Sequence, residues 1–383
     1  MRIGIEAQRI FRPNKHGMEI VVLEIIKQLQ RIDNVNEYFI YVKKDQDVCL
    51  KSSSNFSIRE IEGASFALWE QLSLPKAAKK DNCQLLHCTS NTAPLFIDIP
   101  ILVTLHDIIF LEKSYFSILT GKGSIYQRFG NSYRKFIVPL IINKCQKIIT
   151  VSYSEKEKIE SFLKLKNNLL DVIYNAVDKR FKHSENNSEI LSQFNIPKPY
   201  ILFHGNKHPK KNTENVLRAI SILKSKHSIE IDVVITDIDS QYIFKVSKKT
   251  KSLNIFHQIN AVGYIDTVKM PVLYSSSLIF LYPSLRESFG LPILEAMSCE
   301  TPVITSDCYS MPEIAGGAAY LVNPENPDQM ADAIAELISN SSLRNELIEK
   351  GKQNVLRFSW ENAAKETLKI YNKILAELYV PNT

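Results

Sequence analysis

The sequence is poor in cysteine and has no long apolar run. Six of its 383 residues are cysteine, and none lies in a C-x-x-C pair or at a His-Cys spacing typical of metal sites. Several stand in apolar segments, which predicts reduced, buried thiols in a cytoplasmic protein. No apolar run approaches the roughly 20 residues that cross a bilayer. The first residues, MRIGIE, are not a basic-then-apolar leader, so we expect neither a transmembrane segment nor a secretory signal peptide.

Acidic residues are missing from one long stretch, Lys113 to Lys147, in a chain whose net charge is only +6. Three interpretations fit the stretch. It is a helix with its aromatic face on a sheet and its cations in water, or it contacts a membrane surface or a lipid diphosphate. Nucleic acid is disfavoured as a partner, because no binding motif accompanies the charge. Its cations and aromatic residues are interleaved: Lys122, Arg128, Arg134, Lys135 and Lys144 with Tyr115, Phe116, Tyr126, Phe129, Tyr133 and Phe136.

Length and periodicity predict two α/β domains. A chain of 383 residues exceeds one typical core and suits two domains. A short strand at Arg2–Glu6, a loop, and a helix over Met18–Leu29 with apolar residues three and four apart open a doubly wound α/β domain. Further strands are predicted at Tyr38–Val42, Gln84–Leu86, Ile101–Leu105, Lys147–Val151, Tyr200–His204, Ile231–Ile235, Val262–Ile265, Leu278–Tyr282, Pro302–Thr305 and Ala318–Val322. Helices are predicted between them, one of them beginning at a capping Ser154 and another spanning Val268–Tyr274.

The segment RESFGLPILEAM, Arg286 to Met297, follows the predicted strand Leu278–Tyr282 and begins a helix. Its glycine permits close approach of a ligand, and its proline suits the first helical turn. Backbone N–H groups at such a helix start form an anion site. Two carboxylates flank the site and suit sugar hydroxyls. The alternative is an ordinary βα turn with two surface glutamates. The residues concerned are Phe289, Gly290 and Leu291 for the backbone groups, and Glu287 and Glu295 for the carboxylates.

A second anion site is predicted in the loop after Tyr200–His204. Gly205 gives the backbone of the loop the freedom to turn, and the loop carries Lys207, Lys210 and Lys211. It leads into a helix capped by Asn212 or Thr213, so positive charge and the helix dipole favour an anion at the same place. It lacks the G-x-x-x-x-G-K-[ST] spacing of a Walker loop. The alternative is a lysine-rich surface loop.

The pair His106-Asp107 follows the strand Ile101–Leu105, at the strand end where open α/β sheets bind ligands. In the alternative interpretation, Asp107 caps the next element and His106 is an interior histidine with satisfied hydrogen bonds.

Four segments resemble the retaining nucleotide-sugar glycosyltransferases of family 4, which have the GT-B fold, in its mannosyltransferase-like subgroup. The string ESFGLPILEAM resembles the family's E-x7-E signature, and VTLHDIIFLE resembles its V-x-x-x-H-D element. GNKHPKKN resembles G-x-x-x-P-x-K-N, and VIYNAVD resembles V-I-x-N-G-V-D. The resemblance implies two Rossmann-like doubly wound domains that face a central cleft. It implies an N-terminal acceptor-side domain at 1–178, a linker at 179–198, a nucleotide-sugar domain at 199–360, and a last helix, 361–383, that crosses back to the first domain.

The resemblance also implies roles for the site residues. The donor-binding set is Gly205, Lys207, Lys211, Tyr264, Phe289, Gly290, Leu291 and Glu295, with Lys211 on the donor diphosphate, Glu295 on the ribose and the strand end near Tyr264 against the base. Glu287 and His106 serve as catalytic residues on the donor sugar, while Gly17 and Asp107 belong to the acceptor side or its loop. Fixed cations and N–H groups can replace a divalent metal at the leaving diphosphate, so we expect neither a metal nor another cofactor.

The expected function is transfer of a hexose from a GDP- or UDP-sugar to a saccharide or lipid-linked saccharide in surface polysaccharide synthesis. We expect a cytoplasmic protein, with peripheral contact at the inner face of the plasma membrane as one interpretation of Lys113–Lys147. Three family glycines are replaced, by Glu19, Ala176 and Glu300, in a chain with only 12 glycines. The replaced glycines favour one alternative, a catalytically silent sugar-nucleotide-binding assembly subunit. A GT-B-fold sugar-nucleotide epimerase is the second alternative.

Overall fold

The computed structural model describes residues 1–13, 15, 17–112, 125–165, 168–185 and 188–379, with the side chains of 125–127 excepted. The chain forms two compact units. Unit 1 comprises Met1–Asn175 and the segment that begins at Trp360, and unit 2 comprises Ala176–Ser359. In the described part of the chain, no helix is both long enough and apolar enough to cross a membrane.

Unit 1 is built on a parallel sheet of seven strands in the order β3-β2-β1-β4-β5-β6-β7. All of its described strand pairs are parallel, as the predicted doubly wound fold requires. Ile3 stands between Tyr38 of β2 and Leu85 of β4, which places β1 in the middle of the sheet. The strands are β1 Arg2–Glu6, β2 Glu37–Val42, β3 Phe56–Glu60, β4 Leu85–Cys88, β5 Ile101–Thr104, β6 Lys147–Thr150 and β7 Leu170–Val172.

The helices of unit 1 bury their apolar faces on this sheet. Helix α1 buries Leu23, Ile26 and Leu29, three of the apolar residues that set the predicted spacing. Unit 1 also contains the π-helical turn Trp69–Ser73. Its helices are α1 Gly17–Ile32, α2 Phe66–Leu68, α3 Leu74–Lys80, α4 Ile109–Glu112, α5 Ile125–Ile142, α6 Tyr153–Leu163 and, after unit 2, α15 Trp360–Tyr379.

Unit 2, like unit 1, is built on a parallel sheet; it has six strands in the order β10-β9-β8-β11-β12-β13. Its strands are β8 Tyr200–His204, β9 Asp232–Thr236, β10 Ile259–Gly263, β11 Ile279–Tyr282, β12 Val303–Ser306 and β13 Tyr320–Val322. Its helices are α7 Ser188–Gln193, α8 Thr213–His227, α9 Ser240–Thr250, α10 Met270–Ser276, α11 Leu291–Ser298, α12 Ser310–Ala315, α13 Pro327–Ser339 and α14 Ser341–Val355, with 3-10 turns at Pro209–Lys211 and Leu253–Gln258.

Several local predictions were wrong. The cap before α6 is Ser152, whose Oγ accepts the Glu155 N–H at 3.1 Å, rather than Ser154. The strand predicted at Val262–Ile265 lies earlier, at β10, and the helix predicted from Val268 begins at Met270. The pattern missed β3, β7 and the π-helical turn. These elements are short, and a three- to five-residue strand shows little periodicity. Residues 179–198 contain α7, and their role as a linker stays a prediction.

Candidate functional site

The topology of unit 2 creates a crevice between β8 and β11. In the order β10-β9-β8-β11-β12-β13, the strand numbers increase from β8 toward one edge of the sheet and from β11 toward the other edge. The direction of the chain across the sheet therefore reverses between β8 and β11. Open α/β sheets bind ligands beyond the carboxyl ends of the strands at such a switch point. The segments that leave those two strand ends are the lysine-rich loop after His204 and the segment Pro283–Gly290. These are the two predicted anion sites, and strand order brings them together.

The lysine-rich loop packs closely on neighbouring side chains and is hydrogen-bonded to the segment after β11. A Cβ on Gly205 would lie 2.5 Å from Ile238 Cδ1 and 2.7 Å from Ile235 Cγ2, so this position has no room for a side chain. The carbonyl of Lys210 accepts the backbone N–H of Leu285 at 2.7 Å, a direct tie between the two segments.

Asn212 fastens the end of the loop but does not cap α8 with its side chain. Its φ of +65° is left-handed. Its amide donates to the carbonyls of Pro283 at 3.0 Å and Pro324 at 2.6 Å. Because α8 begins at Thr213, Asn212 stands at the predicted N-cap position. Its side chain does not accept a hydrogen bond from the helix. The side-chain amide joins its own loop to the segments at Pro283 and Pro324.

Lys211 is held at the centre of the crevice. Its Nζ lies 2.8 Å from Glu287 Oε1, donates to the Tyr282 hydroxyl at 2.8 Å, and stands 4.6 Å from the centre of the Tyr282 ring. Lys210 Nζ lies 3.5 Å from the other oxygen of Glu287. Two cations therefore share one carboxylate, and the cluster has a net positive charge.

The electrostatics of Glu287 follow from this pairing. Its side chain is 13% exposed, and this burial raises the pKa of its carboxyl. The charges of Lys211 and Lys210 and the hydrogen bonds from Lys211 and Tyr282 outweigh burial and hold that pKa below its usual 4.5. Glu287 is therefore ionised at neutral pH and can accept hydrogen bonds from hydroxyl groups.

Helix α11 begins at this crevice. Gly290 takes φ +100°, a left-handed conformation that suits glycine, and Pro292 stands in the first turn. The Ser310 Oγ donates to the carbonyls of Glu287 and Phe289, both at 3.0 Å, and fixes the loop before the helix. The first-turn N–H groups of a helix have no intrahelical acceptors. A helix start held in this way can bind an anion.

Glu295, one turn into α11, accepts the Tyr274 hydroxyl at 2.9 Å. Burial raises its pKa to about 7, although Tyr274 and Lys211 both favour the carboxylate. The Tyr274 ring stacks on His204 at 5.4 Å, at the end of β8. Burial and the nearby charge of Lys211 lower the pKa of His204 to about 3, so this histidine is neutral.

Lys207 and Tyr264 are more peripheral than the sequence suggested. Lys207 is 62% exposed and pairs with Asp239 at 2.8 Å. Tyr264 is 67% exposed, directly after Gly263 with φ +69° and a register shift in β10. The sequence placed Lys210 in the predicted anion-binding loop without a role of its own, and it missed Tyr274, Tyr282 and His204 as site residues. Tyr282 and His204 end their strands, and that position is the signal that could have identified them.

In unit 1, His106 and Asp107 have the contacts of the structural alternative. Asp107 Oδ1 accepts the Ile109 N–H at 3.0 Å and caps α4. His106 is buried, with its Nε2 3.0 Å from the Thr89 carbonyl and its backbone N–H donated to Asn91 Oδ1 at 2.6 Å. Burial lowers its pKa, so the ring is neutral, and because the Thr89 carbonyl can only accept a hydrogen bond, Nε2 is the donor. The role of His106 toward a sugar remains a prediction.

The positions where family glycines are replaced differ in their surroundings. Gly17 begins α1, and two residues later Glu19 is buried and lies 3.5 Å from Arg12 Nη1. Glu300 has φ +59°, the conformation that a glycine would adopt without strain, and pairs with Lys352 at 3.0 Å. Ala176 is buried at the start of unit 2.

The basic, aromatic stretch is described only in part. Residues 113–124, with Lys113, Tyr115, Phe116 and Lys122, lie outside the described residues, as does the side chain of Tyr126. The rest forms α5 and the segment up to Lys147. Helix α5 exposes Phe129, Phe136 and Leu140, and the Lys144 ammonium lies 5.6 Å from the ring centre of the exposed Phe96.

Two D-x-D triplets, Asp45–Asp47 and Asp237–Asp239, bear on the expectation of a metal-free site, because paired carboxylates can hold a divalent cation. Asp47 pairs with Lys15, and Asp239 caps α9 and pairs with Lys207. Within the described ranges, no three His, Cys, Asp or Glu side chains are placed to hold a metal ion. Independence from metal stays a prediction.

Two family models match the chain. The model described as Glycosyl transferases group 1 matches residues 186–354, and the model described as Glycosyltransferase Family 4 matches residues 16–181. The chain belongs to the family 4 glycosyltransferases. The former match contains both segments of the unit 2 crevice, and the latter contains His106 and α1.

Relatives and solved structures are consistent with this membership. O-antigen chain mannosyltransferase B of Escherichia coli is 31% identical over 176 residues, which is 45% of each chain. O-antigen chain mannosyltransferase RfbU of Salmonella typhimurium is 24% identical over 327 residues, 82% of this chain and 80% of the relative. The crystal structure of Anabaena HepE in complex with UDP and glucose superimposes with a TM-score of 0.71 at 16% identity, over 97% of this chain and 100% of that one. This glycosyltransferase therefore has the predicted GT-B architecture of two parallel-sheet α/β domains.

Proposed function

We propose that this glycosyltransferase moves a hexose from a nucleoside-diphosphate sugar to a saccharide or lipid-linked saccharide, with retention of anomeric configuration and without a metal ion. One observation carries the proposal. The Lys210–Lys211–Glu287 cluster and the start of α11 occupy the same switch-point crevice of unit 2.

Departure of the nucleoside diphosphate places negative charge on its phosphates. Lys211 is the cation best held to receive that charge, because Tyr282 and Glu287 already fix its position. A preorganised donor costs no reorganisation during the reaction and contributes about 3 kcal/mol to the transition state. The backbone N–H groups that lead into α11, Phe289 to Leu291, are the second source of positive potential.

The two glutamates of the signature have different environments and therefore different tasks. Glu287 is ionised and pinned between two lysines, which suits an acceptor for donor-sugar hydroxyls. Glu295 lies farther into α11 with a pKa of about 7, and we assign it to the nucleotide ribose. Neither assignment requires a side-chain nucleophile, so the leaving phosphate can itself take the acceptor proton in a front-face reaction.

A polysaccharide acceptor is supported by the relatives, two of which bear the name O-antigen chain mannosyltransferase. Mannose from a GDP-sugar is therefore the donor to test first, and the HepE complex makes UDP-glucose the second. Peripheral membrane contact through α5 is supported by its exposed Phe129, Phe136 and Leu140 in a stretch without acidic residues.

The experiment is incubation of the purified protein with GDP-, UDP- and ADP-sugars, with and without saccharide acceptors, in buffer with and without EDTA. We expect consumption of one donor, retained configuration in the product by NMR, and no effect of EDTA. A free, altered sugar nucleotide formed without acceptor would instead identify an epimerase. Donor binding without turnover across the panel would identify a silent binding subunit.

A further inference from the structure

Tyr274 lies in α10, a helix that carries none of the predicted site residues. Its side chain is fully buried, and its hydroxyl donates to Glu295 Oε2 at 2.9 Å, 21 positions further along the chain. This bond joins α10 to α11, the helix that begins at the unit 2 crevice. Tyr274 therefore reaches the site through Glu295.

The ring of Tyr274 is fixed by aromatic neighbours on several sides. His204 stacks on it at 5.4 Å with 19° between the ring planes, and Phe280 meets it edge-on at 5.0 Å. Phe181 packs against it at 6.1 Å. The backbone is held as well, because the Tyr274 carbonyl accepts the hydroxyl of Thr301 at 2.7 Å. With ring and backbone both fixed, the hydroxyl has a defined position toward Glu295.

The bond from Tyr274 occupies only one oxygen of Glu295. Within the described part of the chain, no side chain or backbone group donates a hydrogen bond to the other oxygen, Oε1. Glu295 is only partly buried. A carboxylate has acceptor capacity at both oxygens, so Glu295 can hold the Tyr274 hydroxyl and a ligand hydroxyl together.

The formal charges around Glu295 act in opposite directions. The like charge of Asp178 opposes ionisation of Glu295, whereas Lys211 and Arg180 favour it. Both cations are already paired: Arg180 lies 2.7 Å from Asp178, and Lys211 lies 2.8 Å from Glu287. These charges therefore offset one another in part, and they leave Glu295 without a counter-ion of its own.

The hydrogen bond from Tyr274 is the main feature that favours the Glu295 carboxylate. Burial raises the pKa of Glu295 to about 7, and the bond from Tyr274 is the largest influence that opposes this rise. The other titratable neighbours are neutral, because burial raises the pKa of the Tyr282 hydroxyl and of the Cys299 thiol. Loss of the Tyr274 hydroxyl would therefore shift Glu295 toward its protonated form at neutral pH.

We infer that Tyr274 is a positioning residue for donor binding: its hydroxyl holds the Glu295 carboxylate in place and in the charged form that accepts a ribose hydroxyl. An ionised carboxylate accepts hydrogen bonds at both oxygens, whereas a protonated one donates at one of them. The inference rests on the proposed function, which assigns Glu295 to the nucleotide ribose. It adds that donor affinity at neutral pH depends on a hydroxyl that acts through Glu295.

The test replaces Tyr274 by phenylalanine, which keeps the ring among its aromatic neighbours and removes only the hydroxyl. Tyr320→Phe is the matched control, because Tyr320 donates its hydroxyl to Glu336 at 2.8 Å on the exposed surface of the same unit. NMR titration of the full chain, isotope-labelled in glutamate, gives the pKa of Glu295, whose signal is identified by its loss in Glu295→Gln. Calorimetry gives the dissociation constants of GDP-mannose and UDP-glucose from about pH 6 to about pH 8.5.

We expect Tyr274→Phe to raise the pKa of Glu295 by about one unit, because the carboxylate loses a charge-assisted hydrogen bond. Donor affinity should then fall about fivefold at pH 7, and most of it should return at about pH 8.5, where Glu295 ionises in the variant as well. Tyr320→Phe should change neither quantity. Recovery with pH distinguishes a positioning role from a structural one, because raised pH would not restore a damaged site.

An unchanged pKa of Glu295 in Tyr274→Phe would overturn the inference, and so would a raised pKa with unchanged donor affinity. A loss of affinity that persists at high pH would also overturn it, since the hydroxyl would then serve the structure alone. If neither sugar nucleotide bound the wild type, the proposed donor would be rejected. A raised pKa in Tyr274→Phe would in that case still support the action of Tyr274 on Glu295.

Discussion

Replacement of Lys211 by glutamine is the most direct test of the unit 2 crevice. Lys211 and Glu287 are 18% and 13% exposed, and their charged atoms are 2.8 Å apart. At an effective dielectric constant of about 20, charges at that distance attract by about 6 kcal/mol, an energy that desolvation of both groups largely offsets. Removal of one partner leaves the other charge buried without a counter-charge, and in buried pairs this lowers the free energy of unfolding by about 3–5 kcal/mol.

Lys210 moderates that cost. Its Nζ stays 3.5 Å from Glu287 after Lys211 is removed, so the carboxylate keeps one cation. We therefore expect Lys211→Gln to lower the free energy of unfolding of unit 2 by about 3 kcal/mol, the lower end of the range. A double-mutant cycle with Glu287→Gln should give a coupling energy of about 1–3 kcal/mol.

Urea-dependent hydrogen exchange of peptides from β11 is the assay, because it reports on unit 2 separately from unit 1. Lys207→Gln is the matched control: this lysine is in the same loop, but its pair with Asp239 is exposed, and its removal should leave stability unchanged. The effect should also depend on pH. Glu287 has a lowered pKa, so its stabilisation is present above about pH 4.5 and is lost as the pH falls below that value.

Activity supplies the second readout of the same variant. At pH 7.5, Lys211→Gln should retain its fold and lose about 100- to 1,000-fold in kcat, as expected for one lost donor to a developing charge. A coupling energy near zero would refute the buried pair, and unchanged kcat would refute the role of Lys211 at the leaving diphosphate.

Three further predictions concern other positions. Because the pKa of Glu295 is about 7, its ionised fraction, and with it donor affinity, should rise about tenfold from pH 6 to pH 8; titration calorimetry should find this dependence absent in Glu295→Gln, and a flat wild-type profile would contradict the ribose assignment. Gly205→Ala should lower the free energy of unfolding of unit 2 by about 1–3 kcal/mol, because the new methyl would lie 2.5 Å from Ile238 Cδ1; an unchanged urea midpoint would show that the site relaxes freely. Tyr133→Phe should cost about 1–3 kcal/mol in unit 1, since it removes a donor to the buried Glu70. Burial raises the pKa of Glu70 to about 7, so that loss should be largest above pH 7, where Glu70 is ionised, and an equal loss at pH 5 would argue against the hydrogen bond to Glu70.

Much of the fold was predictable because its signals are local. β1 and β8 have the predicted bounds, and α1 buries the predicted apolar face. A buried parallel strand is a continuous apolar run, and an amphipathic helix repeats every 3.6 residues, so both are visible within a dozen residues. The left-handed glycine and first-turn proline before α11 are equally local.

The missed features depend on partners distant in the chain. Asn212 looked like a helix cap, but its amide binds the carbonyls of Pro283 and Pro324, 71 and 112 positions away. Ser154 looked like the cap of α6, but the backbone enters that helix two residues earlier. The alternative interpretation of His106 and Asp107 anticipated their structural contacts, but which group the His106 ring would contact, the Thr89 carbonyl, was not visible from the sequence.

The sequence by itself determined two parallel α/β domains, the two segments of unit 2 that are predicted to bind an anion, and the family to which the chain belongs. Only the tertiary structure decided that β8 lies beside β11. This adjacency brings Lys210 and Lys211 onto Glu287 and places Tyr274 and Tyr282 around them. The physical reason is that the pairing of β8 with β11, in which Ile201 lies opposite Ile279, joins segments distant in the chain through backbone hydrogen bonds, which are the same for every residue type and leave no local trace in the sequence.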